Sequence, residues 1–349
     1  MSAGEILVEG IALLGEELLE RPVTLTVQDG RIHRIEELSG IPSGAPWICP
    51  ALFNAHTHVG DSLAMDIPAQ GSLEDLVAPP HGLKHRILED APREALVRGM
   101  RATVLDIIRS GTAGFADFRE GGRPGVEALL AATGGLPCSP VIFGREGGED
   151  CGHGLGVSST RDVAGLEELV SAARNAGKLV AFHAGERDSS DVDSALAFDP
   201  DLLIHCTHAT PRQLRECADR SIPIAVCPRA NWRLKVARSA ATPPIRRMHE
   251  LGCRVLLGTD NVMFVQPDLW RELSFLYTVY GTDPCNALRS AVAGSEFLSR
   301  PFFIKERNFA NFLLIDRSGS SLSLSRSLQT SLVNRAGPEN IVRKVLNLG

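Results

Sequence analysis

The chain has 349 residues, 44% of them apolar and 22% charged, with a formal net charge of −6, so it can bury a core of about 250 residues and still leave chain for a small second domain. Its Lys and Arg residues form no block, which excludes the basic footprint of a nucleic-acid binder, and no apolar run nears the ~20 residues of a membrane helix. The start MSAGEILVEG lacks the pattern of a signal peptide, and the eight cysteines are scattered without a Cys-x-x-Cys pair, so free thiols and a cytoplasmic protein are expected.

Residues 1–46 read as short strands and turns. In PVTLTVQDGRIHRIEE an alternating segment, an Asp29-Gly30 turn and a second segment predict a β-hairpin. WICPALFNAHTH follows as an apolar strand ending in polar residues. From there strand and helix signals alternate. Strands are expected at 113–118, 139–144, 155–159, 179–183, 201–205, 222–228 and 254–260. The segments PREALVRGMRATVLDIIRSG, STRDVAGLEELVSAARNAGK, PRQLRECADR, PPIRRMHELG, QPDLWRELSFLYTVYG and DPCNALRSAVAGSEFL carry helical periodicity or helix start and stop signals. Eight strands with helices between most of them predict an α/β fold, a (β/α)₈ TIM barrel over 47–304. Little helix separates the third strand from the fourth. The last stretch, 305–349, is again β-like, and with 1–46 it is expected to form a small β-sandwich domain beside the barrel. The Ser-rich piece 318–331 is interrupted by apolar residues, which favours a folded loop.

Chemistry in such a barrel sits at the C-terminal strand ends. The first strand ends His56-Thr57-His58, the fifth ends at His183, the sixth at His205 and the eighth at Asp260. His56 and His58, two residues apart on a strand, face one side. His183 and Asp260 come from other strands and can close a coordination shell. A lone His-x-His is more often packing than ligand; four such groups falling at strand ends in this order point to a metal. Three imidazoles and a carboxylate suit one divalent ion per chain, Zn²⁺ first, with Fe²⁺ accepted by the same donors.

The segments FNAHTH, FHAGE, LIHCTH and LLGTDN resemble the amidohydrolase superfamily. VCPRANWRL followed by PPIRRMHELGCRVLLGTDN resembles its cytosine deaminase and S-adenosylhomocysteine deaminase branch. The resemblance spans nearly the whole chain and is specific for the superfamily but weakly specific for substrate. It implies a metal-dependent hydrolase of carbon–nitrogen bonds other than peptide bonds, and a hydrolytic deaminase of an amino-substituted purine, pyrimidine or nucleoside-like ring. Many members hold two metals bridged by a modified lysine from strand four. No lysine lies near that strand end here, and Lys178 precedes strand five, so one metal is expected; a bridging carboxylate from Glu146 or Glu149 is the alternative. The resemblance further assigns Glu186 as proton shuttle and His205 as partner of the attacking water, with His208 a competing candidate. Asp260 can both hold the metal and accept the water's proton.

His208, His153, Arg119, Glu120, Arg145 and Trp232 are candidate substrate contacts, against the blander readings of surface ion pairs and rim packing. His81 and His85 lie in a loop long enough to form a lid. The remaining readings are hydrolysis of a cyclic or linear amide, or loss of another leaving group, and an inactive barrel serving as an association scaffold. The intact ligand set argues against the last. The expected partner is a small-molecule substrate, and a homo-oligomer is the usual state for such chains.

Overall fold

The computed structural model describes residues 5–40, 44–67, 71, 73–77 and 81–347. Strands β1 (Ile6–Leu14), β2 (Leu19–Gln28) and β3 (Arg31–Glu37) form an antiparallel meander. Asp29 and Gly30 both take positive φ, 50° and 73°, the geometry of the tight hairpin turn that their identities predicted. β4 (Trp47–Pro50) runs parallel to β1, pairing Trp47 with Ile11. After the single residue Ala51, at Leu52, the chain enters the barrel.

The barrel strands are β5 (Leu52–His58), β6 (Thr112–Arg119), β7 (Ser139–Gly144), β8 (Gly154–Val157), β9 (Leu179–Ala184), β10 (Leu202–His205), β11 (Ile224–Val226), β12 (Val255–Leu257) and β13 (Asp260–Asn261). Their order is β12-β11-β10-β9-β8-β7-β6-β5-β13, and the pairs along it are parallel. β12 and β13 are the two halves of one bent strand, joined through Gly258 and Thr259. The list therefore closes on itself as a ring of eight, in the chain order read from the sequence. Most of these strands are buried on both faces, which is why they read as short apolar runs rather than as alternating ones. Helices alternate with the strands except between β7 and β8, where residues 145–153 form turns. Among the described residues no helix is long and apolar enough to cross a membrane.

The seam of the ring lies between β5 and the bent strand. There Asn54 donates from Nδ2 to Thr259 Oγ1 at 2.8 Å and accepts from the Thr259 amide at 3.1 Å. The Thr259 amide also lies 3.1 Å from the His56 carbonyl. Approach this close needs a glycine: a Cβ on Gly258 would stand 2.8 Å from His56 Cβ and 2.9 Å from its amide nitrogen. Backbone cannot swing aside as a flexible side chain can. Gly258→Ala is expected to lower the free energy of unfolding by about 2–3 kcal/mol, the upper range for an overpacked core. Urea unfolding checks this; a midpoint equal to that of the parent would show that the seam has slack.

The two ends of the chain meet in one sheet. β14 (Asn311–Ile315) pairs antiparallel with β4 and with β15 (Ile341–Leu346), giving the order β15-β14-β4-β1-β2-β3. Alternate residues take opposite faces. Ile11, Leu13, Trp47, Cys49 and Leu313 join the core shared with the barrel, while Val8, Ala12, Ile48, Phe312 and Val345 form a separate cluster. A β-sandwich was the expectation; the pairing shows one continuous six-stranded sheet with that cluster on its other face. β4 belongs to this sheet although the sequence division at 46/47 put it with the barrel. Residues 1–4, 41–43, 348 and 349 of the two end segments lie outside the described residues. Between β14 and β15 the Ser-rich stretch carries a helix, Leu328–Asn334, whose N-cap Ser327 accepts from the Thr330 amide. Leu328, Leu332 and Val333 are buried, and the helix packs on Leu269–Tyr280 and Pro284–Ala293. Its apolar residues at i and i+4 were the available signal, masked by serines that read as loop.

Candidate active site

His56 and His58 project from one face of β5, while Thr57 between them turns outward to the Ala116 carbonyl and the Asp117 carboxylate. Across the ring, β9 brings His183, the end of β10 brings His205, and β13 brings Asp260. Two groups of potential donors form within 4.8 Å, His56–His58–Asp260 and His56–His183–His205, sharing His56 and buried throughout. His56 Nε2 lies 3.1 Å from Asp260 Oδ1 and His58 Nε2 lies 3.5 Å from the same oxygen. The His183 ring centroid stands 4.9 Å from that of His56 and 5.5 Å from that of His205. His205 and Asp260 adopt φ of +74° and +62°. Such left-handed backbone is unfavourable for a residue with a Cβ and persists where surrounding structure imposes it, often at functional sites.

The environment sets the charge state of these groups. Burial lowers the pKa of His56, takes His58 down to about 3 with Lys84 adding to the effect, and holds His183 well below its ordinary value. Burial would raise the Asp260 carboxyl, but the His56 hydrogen bond and the neighbouring imidazoles outweigh it and keep the group ionised. The result is a set of neutral imidazoles around one carboxylate. His183 Nδ1 lies 3.0 Å from the Val157 carbonyl; a carbonyl only accepts, so Nδ1 carries the proton and Nε2 presents its lone pair. His58 Nδ1 is 3.0 Å from Glu120 Oε1, a carboxylate that accepts its proton, and the Lys84 ammonium stands farther from the same nitrogen, at 3.5 Å. Nδ1 of His56 and of His205 are buried without a hydrogen-bond partner. Imidazole nitrogens of His56, His58 and His183 converging with one ionised carboxylate are what a divalent cation needs, so the residues fit a metal.

Above this floor opens a cleft of about 720 Å³, counting its mouth. Glu186 forms part of its wall, with Oε1 3.8 Å from His205 Nε2, and burial raises its pKa. Glu120, Arg145, His183 and His205 also line the cleft. Other expected contacts lie elsewhere. Arg119 is buried in ion pairs with Asp117 and Glu120. Trp232 is tied by its Nε1 to the Tyr280 hydroxyl at 2.8 Å and does not line the cleft. His208 is exposed. His153 precedes β8, at the opposite end of the barrel, where its Nδ1 accepts from the Ile142 amide at 3.0 Å. Glu146 and Glu149, the candidate bridging carboxylates, do not line the cleft either. In their place the cleft shows Lys84 and His85, both on the helix Leu83–Glu89. His85 had been read as part of a lid; Lys84, in HGLKHR, had given no signal.

Family models match along the barrel: the amidohydrolase family over residues 47–150 and adenosine deaminase over 157–296. The chain belongs to the amidohydrolase family of metal-dependent hydrolases. A protein of Methanothermobacter thermautotrophicus, provisionally named an aminohydrolase, is 35% identical over 97% of this chain and 96% of its own length. A 5-methylthioadenosine/S-adenosylhomocysteine deaminase of Moorella thermoacetica is 26% identical over 68% of this chain and 65% of its own. In structure, a zinc-bound adenosine deaminase from Xanthomonas campestris superposes with a TM-score of 0.73 at 14% identity, covering 97% of this chain and 91% of that one, which establishes the shared fold.

Proposed function

We propose that this protein is a hydrolytic deaminase of an amino-substituted, purine-like ring, and that it holds one divalent metal on His56, His58, His183 and Asp260. The observation that carries the reading is the floor of neutral imidazoles around one ionised carboxylate, with a second carboxyl, Glu186, on the wall directly above. Zinc is the first choice, and ferrous iron suits the same donors. When bound, the ion supplies Lewis acidity that lowers the pKa of an adjacent water into the neutral range.

The chain's own groups do the rest. Asp260, held ionised beside His56 and His58, accepts a proton from the attacking water. His205 Nε2 faces the cleft beside Glu186 and orients that water. Glu186, whose pKa burial raises, gives a proton to the ring nitrogen as attack proceeds, takes up the water's proton from Asp260 and passes it to the departing amine, and recovers its own proton from the added hydroxyl as the carbonyl forms. Water adds, ammonia leaves, and the ring carbon keeps the oxygen. Relatives named as deaminases of 5-methylthioadenosine/S-adenosylhomocysteine and of adenine support the choice of an amino-purine or its nucleoside over other leaving groups. The eight cysteines are all unpaired, which suits a cytoplasmic setting, and the shared sheet supports reading 1–46 and 305–349 as one small domain beside the barrel.

Screening amino-substituted purines, pyrimidines and their nucleosides for ammonia release tests the function. Ammonia is expected from at least one purine-type compound. Turnover of cyclic amides without ammonia from any amine would overturn the deaminase reading in favour of amide hydrolysis at the same site.

A further inference from the structure

One buried group of charges lies where the floor of the cleft meets its wall, with His58, Lys84 and Glu120 among the lining residues. Glu120, just past the end of β6, places Oε1 3.0 Å from His58 Nδ1 and 2.8 Å from Lys84 Nζ. Lys84 reaches Asp61 Oδ2 at 3.2 Å as well. All four side chains are nearly or fully shut off from water, none more than 6% exposed. Their backbones come from four places: His58 ends β5, Asp61 lies in the 3-10 turn Val59–Ala64 that follows it, Glu120 follows β6, and Lys84 is on the helix Leu83–Glu89 that walls the cleft. Glu120 is also firmly seated. A Cβ at Gly125, in the first turn of the helix Gly122–Thr133, would fall 1.9 Å from the Glu120 carbonyl oxygen, so only glycine lets that helix start pack so close.

A lysine buried this deeply is costly unless its charge is matched, and the match here is Asp61 with Glu120. Glu120 in turn has competing claims on it. Arg119 holds its other oxygen, and Arg145 approaches Oε1 to 3.7 Å. Lys84 Nζ, 2.8 Å from Oε1 and 3.5 Å from His58 Nδ1, is nearer to Oε1 than Arg145 is.

We propose that Glu120 is a positioning residue for His58, and that Lys84 on the cleft wall holds Glu120 in that role. Glu120 accepts the Nδ1 proton of His58, so the ring keeps the tautomer and orientation that offer Nε2 to the metal. The wall of the substrate cleft and the metal's first histidine pair are thereby one electrostatic unit. This rests on His58 being a metal ligand, as proposed above. It assigns Glu120 a task other than the substrate contact expected from the sequence.

The test is zinc affinity, measured by competition with a chromogenic chelator, for the parent, Lys84→Met, Glu120→Gln and the double variant. Glu120→Gln is expected to weaken zinc binding about 10- to 100-fold, as loss of a partner to a ligating histidine does. Lys84→Met is expected to weaken it about five-fold or more, and to have less than about a two-fold effect when Glu120 is already Gln, since its action passes through that carboxylate. Should Glu120→Gln fail to fold, the double variant, which removes both charges of the pair, reports the same loss. Zinc affinities of both single variants within two-fold of the parent would overturn the proposal. So would a Lys84→Met effect of equal size in both backgrounds, because Lys84 would then act on the metal by itself. A parent chain that binds no zinc or iron would overturn the metal site along with it, which distinguishes that failure from this one.

Discussion

Glu186→Gln is expected to lower turnover by about 10²–10⁴, the range for loss of general acid–base help, while metal content and the unfolding midpoint stay those of the parent. The substitution keeps the size and polarity of the side chain and removes only its ability to titrate. Glu186 is not among the groups that converge on the metal position, and its 3.8 Å separation from His205 is too long for a hydrogen bond whose loss would disturb the floor. One carboxyl serves two proton transfers in the proposed reaction, to the ring nitrogen and to the amine, so the effect belongs at the upper end of the range. Steady-state ammonia release, elemental analysis and thermal unfolding on the same preparation decide the matter. A variant that keeps its metal and its turnover would take Glu186 out of the mechanism.

Removing the metal is expected to abolish turnover, with about one equivalent of zinc per chain restoring it. The donors come from β5, β9 and β13, and the His56–Asp260 pair alone joins residues 204 positions apart, so the ion acts on the fold as well as on the chemistry. Ligand bound only to the native state adds about 2.7 kcal/mol when free metal is at 100 times its dissociation constant. The chelated protein should therefore unfold at a visibly lower temperature. Asp260→Ala should reproduce both effects by deleting the one anion of the set. Elemental analysis checks the stoichiometry: two tightly held ions per chain would overturn the single-metal reading, and full activity after exhaustive chelation would overturn metal dependence in this chain.

The eight strands and the polar residues that end them at the cleft were legible for one reason. Parallel strands buried on both faces are short apolar runs, and a polar residue ending such a run is conspicuous, as His58, His183, His205 and Asp260 are. His153 was legible too, had the strand direction been applied to it: the run LGVSS begins after it, so it belongs to the far end of the barrel. WICPALFNAHTH was read as one strand because both halves are apolar, and nothing local marks the change at Ala51 from one sheet to the other. Lys84 was beyond reach. A lysine in a polar loop reads as solvated, and its burial depends on Asp61 and on Glu120, which lies 36 positions away. The helix at Leu328–Asn334 was hidden by serines whose capping role depends on context.

The terminal sheet bears on how the chain is made. β4 sits between β1 and β14, so one of its edges gains a neighbour when the first 50 residues exist, and the other only after residue 311 has left the ribosome. Through the synthesis of the whole barrel, an apolar strand, Trp47–Pro50, leads straight into the first barrel strand with a row of backbone donors and acceptors open on that side. An uncovered edge of this kind invites pairing with another chain. β14 is thus the cover that ends the exposure.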